Sequence, residues 1–161
     1  MKIRKIILIS FTTTLLAACS SGDNVKEKNI ALIDNYIEAV ENLDYQSMEA
    51  LLDENYLGLG PSYGDSIGKT EAVENWKFLA EHLYKGITYN RQRSVAVSVP
   101  DGENKGDWVS NWAELSISYK DLPDTVTIWA NTIYQLEGNK IIKSFTFYNE
   151  ADALRQLGYQ F

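Results

Sequence analysis

At Ile87 the apolar residues of this chain change their spacing from three and four to two, and they keep the new spacing as far as Asn149. A period of two sends alternate side chains to opposite faces of a strand, whereas a period near 3.6 gathers them on one stripe of a helix. The C-terminal part therefore reads as four long strands, about 87–99, 107–119, 125–136 and 140–149, separated by Pro100-Asp101-Gly102, Asp121 to Asp124 and Glu137-Gly138-Asn139. Short turns of Gly, Pro, Asn and Asp join neighbouring strands as hairpins, so an antiparallel meander is expected.

Before Ile87 the period is helical. Ile30, Ile33, Ile37, Val40 and Leu43 predict a helix over about 29–42 with its other face in water. Asp44 is placed to cap a second, short helix that turns Met48, Leu51 and Leu52 inward. The stretch from Tyr56 to Gly68 holds four glycines and a proline, which predicts a short strand at 56–59 followed by an irregular loop. A third helix is capped by Thr70, carries Ala72, Val73, Trp76, Leu79, Ala80, Leu83 and Tyr84 on its apolar face, and ends at Gly86. Residues 150–157 close the chain as a short helix. Helices first and a meander afterwards make an α+β domain.

The N-terminus stands apart. Lys2, Arg4 and Lys5 precede an apolar stretch from Ile6 to Leu16, and Leu16-Ala17-Ala18-Cys19 ends it, in the charged, apolar and small-residue order of an export signal. The stretch is shorter than the roughly twenty residues of a spanning helix. Leu-Ala-Ala-Cys resembles the lipobox of bacterial lipoproteins, which implies that residues 1–18 are removed and that Cys19 carries a lipid. Cys19 is the only cysteine, so no disulfide forms within the chain. Residues 19–28 are then the lipidated cysteine and a polar, flexible tether, and 29–161 the domain. The expected place is the bacterial cell envelope, anchored to a membrane through the lipid on Cys19. Ser20 is unlike the aspartate that retains some lipoproteins at the inner membrane, which points to the outer membrane where the host has one.

Charge excludes one class of partner. The chain has 15 Lys and Arg against 22 Asp and Glu, and losing Lys2, Arg4 and Lys5 leaves 12 against the same 22. So acidic a protein repels phosphate backbones, and nucleic acid is not an expected partner.

The order of elements resembles the nuclear transport factor 2-like superfamily, in its SnoaL-like branch, from Ile30 to Leu157. The resemblance is carried by the first helix, by Asp44-Tyr45-Gln46-Ser47, by Gly68-Lys69-Thr70-Glu71-Ala72, and by the ending from Ile133 through Glu137-Gly138-Asn139 and Phe147-Tyr148-Asn149 to Gly158. It implies a cone, in which a curved antiparallel sheet wraps around N-terminal helices and leaves a pocket at its open end, and it implies frequent homodimers. It also implies where acid and base stand in enzymatic relatives: a histidine on the strand at 125–136 and an aspartate after the last strand. The matching positions here read Asn131 and Asn149, and an amide does not titrate near neutral pH.

If Trp129 pairs across from Asn149, Asn131 falls opposite Phe147 and Ile133 opposite Phe145, giving one face of rings with two amides among them. A register one residue away would part the amides. The alternative is that both are surface or turn-end asparagines. Large flat rings with few polar groups suit an apolar or ring-containing ligand, so Trp76, Trp112, Trp129, Asn131, Phe147 and Asn149 are the expected ligand-binding residues.

Other motifs carry less. Gly64, Gly68, Lys69 and Thr70 follow a short strand, but a phosphate-binding loop needs four residues between its first glycine and the Gly-Lys pair, and here there are three. His82, the only histidine, lies at the edge of the apolar face of its helix. With no second histidine and no free thiol, neither a metal site nor a cofactor is expected. Asp53, Glu54 and Glu114 are the carboxylates placed nearest a pocket, and Arg91 and Arg93 alternate with polar neighbours as on an exposed sheet face. Two functions are compatible with these residues, beside a purely structural dimer with no ligand, which a filled cone would support. The first is a lipid-anchored, non-catalytic accessory domain binding a small hydrophobic or carbohydrate-like ligand. The second is a SnoaL-like lyase, isomerase or hydrolase with Glu114 or Asp53 as general base.

Overall fold

The computed structural model of the protein describes residues 20–122 and 125–160. Cys19, the expected lipidation site, and the export signal before it lie outside the described residues. Helix α1 (Ser20–Glu41) buries Ile33, Tyr36, Ile37, Ala39 and Val40. It begins at Ser20, so the segment expected to be a flexible tether is helical. Residues 22–28 are exposed, and Lys26, Glu27 and Lys28 are good helix formers that extend a helix already nucleated by the buried turns behind them. At α2 (Tyr45–Leu51), Asp44 caps as expected, accepting from the Ser47 backbone N–H at 3.0 Å and from its hydroxyl at 2.6 Å. Met48 is buried below it, whereas Leu52 is the first buried residue of β1 (Leu52–Leu59).

The loop expected after β1 contains a further short strand, β2 (Ser66–Gly68), and α3 (Lys69–Phe78) starts after Gly68 rather than Thr70. A single wider turn, Leu79–Leu83, ends the helix. Lys120 reaches its terminal carbonyls, donating to the oxygens of Ala80 at 3.0 Å and Glu81 at 2.6 Å. Those bonds satisfy acceptors that a helix end leaves open. Tyr84 and Gly86, expected in the helix and at its end, accordingly belong to β3 (Tyr84–Val99).

Strands β3, β4 (Gly106–Tyr119), β5 (Thr125–Glu137) and β6 (Lys140–Tyr148) form the expected meander. Among the described residues the sheet has the order β2-β1-β6-β5-β4-β3, and β1 lies parallel to β6. The sheet is curved and mixed, where an antiparallel one was expected. A parallel pair requires a long connection, and β2, α3, β3, β4 and β5 all lie between β1 and β6 in the chain, so no hairpin dictates their direction.

A bulge between Asn90 and Arg93 bends β3, and Arg91 takes the left-handed φ of 51°. It also exchanges the parity of the strand. Ile87 and Tyr89 before it, and Ser94 and Ala96 after it, share the helix side. On that concave side stand Asn111, Ala113, Leu115 and Ile117 of β4 and Ile128, Ala130, Thr132 and Tyr134 of β5; the convex side carries the residues between them. Helix α4 (Glu150–Gln156) follows β6, and Gln156 holds it to β5 by donating to the Thr127 carbonyl and accepting from its N–H, each at 2.9 Å. Among the described residues no helix is long and apolar enough to cross a membrane.

Candidate functional site

Helices α1, α3 and α4 and the concave face of the sheet enclose a cavity of about 640 Å³. Its inner wall is built from phenols: Tyr36 from α1, Tyr56 from β1, Tyr89 from β3 and Tyr134 from β5, with Trp76 of α3 beside them. Tyr36 and Tyr134 meet edge to face at 5.8 Å. Nearer the open side are Tyr84, Tyr119 and Tyr148, the first two edge to face at 5.6 Å. Between the rings lie Ile128, Ala130 and Leu154, so flat apolar surface predominates. The polar groups are few and placed. The Tyr56 hydroxyl is 2.7 Å from that of buried Ser144, and the buried Asn111 amide donates to the Ser94 hydroxyl at 3.0 Å. Three carboxylates, Asp65, Glu71 and Glu150, line the exposed rim.

Burial keeps the phenols protonated. It holds Tyr36 and Tyr134 well above the ordinary value of 10.0, reinforced by neighbouring phenols, and raises Tyr89, which also feels the Glu41 carboxylate. Tyr84 is pushed up to about 12, again by burial and then by Tyr119 and Tyr148. A phenol with a raised folded value adds stability that is complete below the unfolded value and is lost as pH rises through the folded one. Stability is therefore expected to fall between about pH 10 and 12, with tyrosinate absorbance appearing together with unfolding. Ionisation of all the tyrosines while circular dichroism stays native would contradict this burial.

Of the six expected ligand-binding residues only Trp76 lines the cavity. The predicted register holds, with Asn131 opposite Phe147 and Ile133 opposite Phe145, but that shared face is the convex one. Trp112, Trp129 and Phe147 stand there 42%, 60% and 51% exposed. Asn131 lies among them and donates to the Ser110 hydroxyl and the Asn111 carbonyl, both at 2.9 Å. Asn149 lies past the end of β6, where its side chain accepts from the Asp152 N–H at 3.1 Å and caps α4. Parity says which residues share a face and not which face is enclosed, and here both faces are rich in rings. The carboxylates expected near the pocket are elsewhere too. Glu114 is on the convex face, 3.3 Å from Arg91, Asp53 accepts from the Asn55 N–H, and Glu54 pairs with Lys69 at 2.6 Å. Exposed His82 is outside the cavity, and among the described residues no His, Cys, Asp and Glu cluster could hold a metal. The residues missed are the tyrosines, of which Tyr89 and Tyr134 had the signal of strand parity and Tyr36 that of the buried stripe of α1.

No family model and no curated protein matches the sequence. Solved structures do match the fold. A predicted polyketide cyclase from Xanthomonas campestris superimposes with a TM-score of 0.65 at 16% identity, over 82% of this chain and 98% of that one. A protein with a ketosteroid isomerase-like fold from Catenulispora acidiphila, in complex with trimethylamine, gives 0.62 at 14% identity over 80% and 93%. A nuclear transport factor 2-like protein from Burkholderia xenovorans gives 0.60 at 12% over 81% and 96%. The fold is thus the nuclear transport factor 2-like one, and at these identities the likeness extends to the fold alone.

Proposed function

We propose that the protein is a lipid-anchored small-molecule-binding protein of the bacterial cell envelope, whose ligand occupies the concave cavity. The observation that carries this reading is the cavity itself: about 640 Å³ walled by rings, with a few fixed hydroxyl and amide groups. Pockets of this size and lining accept a ligand of one or a few rings, and the polar groups fix its orientation. That a neighbour of the same fold is in complex with trimethylamine supports small-molecule binding. Binding rather than turnover is favoured because the deep wall offers neutral phenols, and Glu114 and Asp53 are placed away from it. The test is a thermal-shift screen of small apolar and ring-containing compounds. A ligand at a hundred times its dissociation constant adds about 2.7 kcal/mol, a rise of roughly 5–11 °C for a domain of this size. A broad library without a single such compound would sink the reading.

The anchor is proposed from Leu16-Ala17-Ala18-Cys19. Expressed in a bacterium, the protein is expected to take up a clickable fatty-acid analogue and to sediment with membranes, and the Cys19→Ser variant to do neither. Labelling that survives the substitution would place the lipid elsewhere.

A second copy of the chain is proposed to cover the convex face. Leu57, Val95, Val97, Trp112, Trp129 and Phe147 are all exposed there, and large apolar side chains gathered on one exposed face suit an interaction surface.

A further inference from the structure

The residues that line the cavity carry charge of one sign. Asp65, Glu71 and Glu150 are present, and among the described residues no Lys, Arg or His joins them. None of the three takes part in an ion pair among the described residues. Two nearby basic side chains are engaged elsewhere. Lys69, two positions from Glu71, is bound to Glu54 at 2.6 Å, and Lys120, next to Tyr119, donates to the carbonyls that end α3. A fourth carboxylate, Glu41, stands behind the wall, where it accepts from the Tyr89 backbone N–H at 2.7 Å.

Tyr148 stands near two of these acids, Glu150 and Asp65, and Tyr119 and Tyr84 are its neighbours among the rings. Asp65 and Glu150 are close enough to Tyr148 to raise its phenol, after burial and together with Tyr119. Each phenol is neutral at physiological pH, so each ring offers the negative face of its quadrupole. An anion entering here meets like charge and no basic side chain. A neutral molecule gains only burial, whereas a cation gains the ring faces and the carboxylate field together.

We propose that the cavity selects an organic cation, a small alkylammonium group held among Tyr84, Tyr119 and Tyr148 beside Asp65, Glu71 and Glu150, with any apolar remainder directed toward Trp76. This rests on the reading of the cavity as a binding site and names the class of ligand. The charge would set selectivity, since the ring-lined wall accepts many shapes.

The test is calorimetric titration of the full chain in detergent with three probes of one shape. They are choline, the uncharged alcohol in which tert-butyl replaces trimethylammonium, and the anion tert-butylacetate. Choline is expected to bind at least about tenfold more tightly than the alcohol, with no binding of the anion. Tyr148→Leu and Glu150→Gln are each expected to reduce that preference severalfold, by weakening choline more than the alcohol. Equal binding of alcohol and choline, or tighter binding of the anion, overturns the charge assignment and leaves the cavity as a site. Failure of all three probes while compounds of the broad screen bind has the same meaning. Failure of every compound overturns both readings.

Discussion

Ala130→Trp is expected to abolish small-molecule binding while leaving the protein folded. Ala130 stands in the middle of the concave wall, flanked in register by Ala113 of β4 and Tyr148 of β6. Its methyl group faces the open volume rather than a packed neighbour, so an indole built there extends into the space a ligand would take. Inserting a large side chain into a packed core costs about 1–3 kcal/mol, and projection into a cavity should cost less. Affinity should fall at least about a hundredfold, about 2.7 kcal/mol, with circular dichroism unchanged. The control is Trp112→Phe on the convex face, expected to leave affinity as it was. Unimpaired binding by Ala130→Trp would place the ligand outside the cavity.

The second large effect concerns assembly. The double substitution Trp112→Glu and Trp129→Glu is expected to dissociate the proposed dimer into monomers without altering ligand affinity. Trp129 lies across from Glu114, and Trp112 across from Arg93 and Asn131, so the two rings sit near the centre of the convex face. Buried tryptophans at interfaces are worth roughly 2 kcal/mol or more each, and a two-fold axis counts every substitution twice. Carboxylates at those positions also add like charge across the axis. The dissociation constant should rise by at least about a thousandfold, measured by sedimentation equilibrium. A native protein that is monomeric at high concentration would contradict the assignment of this face to a second copy.

The concave cavity and the convex patch also mark where sequence reasoning succeeded and failed. The strands β3 to β6 were legible almost to their ends, because turns rich in Gly, Pro, Asn and Asp separate them and alternation runs unbroken through β4 and β5. The β5–β6 pairing was legible as well. The face was not. Trp112, Trp129 and Phe147 are larger than the concave residues Asn111, Ala130 and Thr132, so ring size suggested that they line the pocket. A cavity instead needs small residues where the ligand sits, and an interface collects large ones. In β3 the bulge at Asn90 and Arg93 reverses parity within one strand, so no single alternation describes it. The parallel β1–β6 pair and the short β2 were hidden for another reason. Their pairing is settled by contacts distant in sequence, and the segment around Gly58 and Gly60 carries too little side-chain pattern to announce it.

Asn149 illustrates a further limit. Its position after the last strand suggested a substitute for a catalytic aspartate, yet its side chain caps α4. A capping residue and a site residue at a strand end look alike in sequence, since both are short polar groups before a helix. What separates them is direction, and only the fold supplies it.

Whether the concave cavity is the binding site can be decided by locating a bound ligand through nuclear Overhauser contacts in solution, using a compound from the thermal-shift screen. Contacts are expected to the Trp76 indole and to the rings of Tyr84 and Tyr148, and none to Trp112 or Trp129. Contacts to Trp112, Trp129 and Phe147 instead would move the site to the convex face and refute the assignment of the cavity.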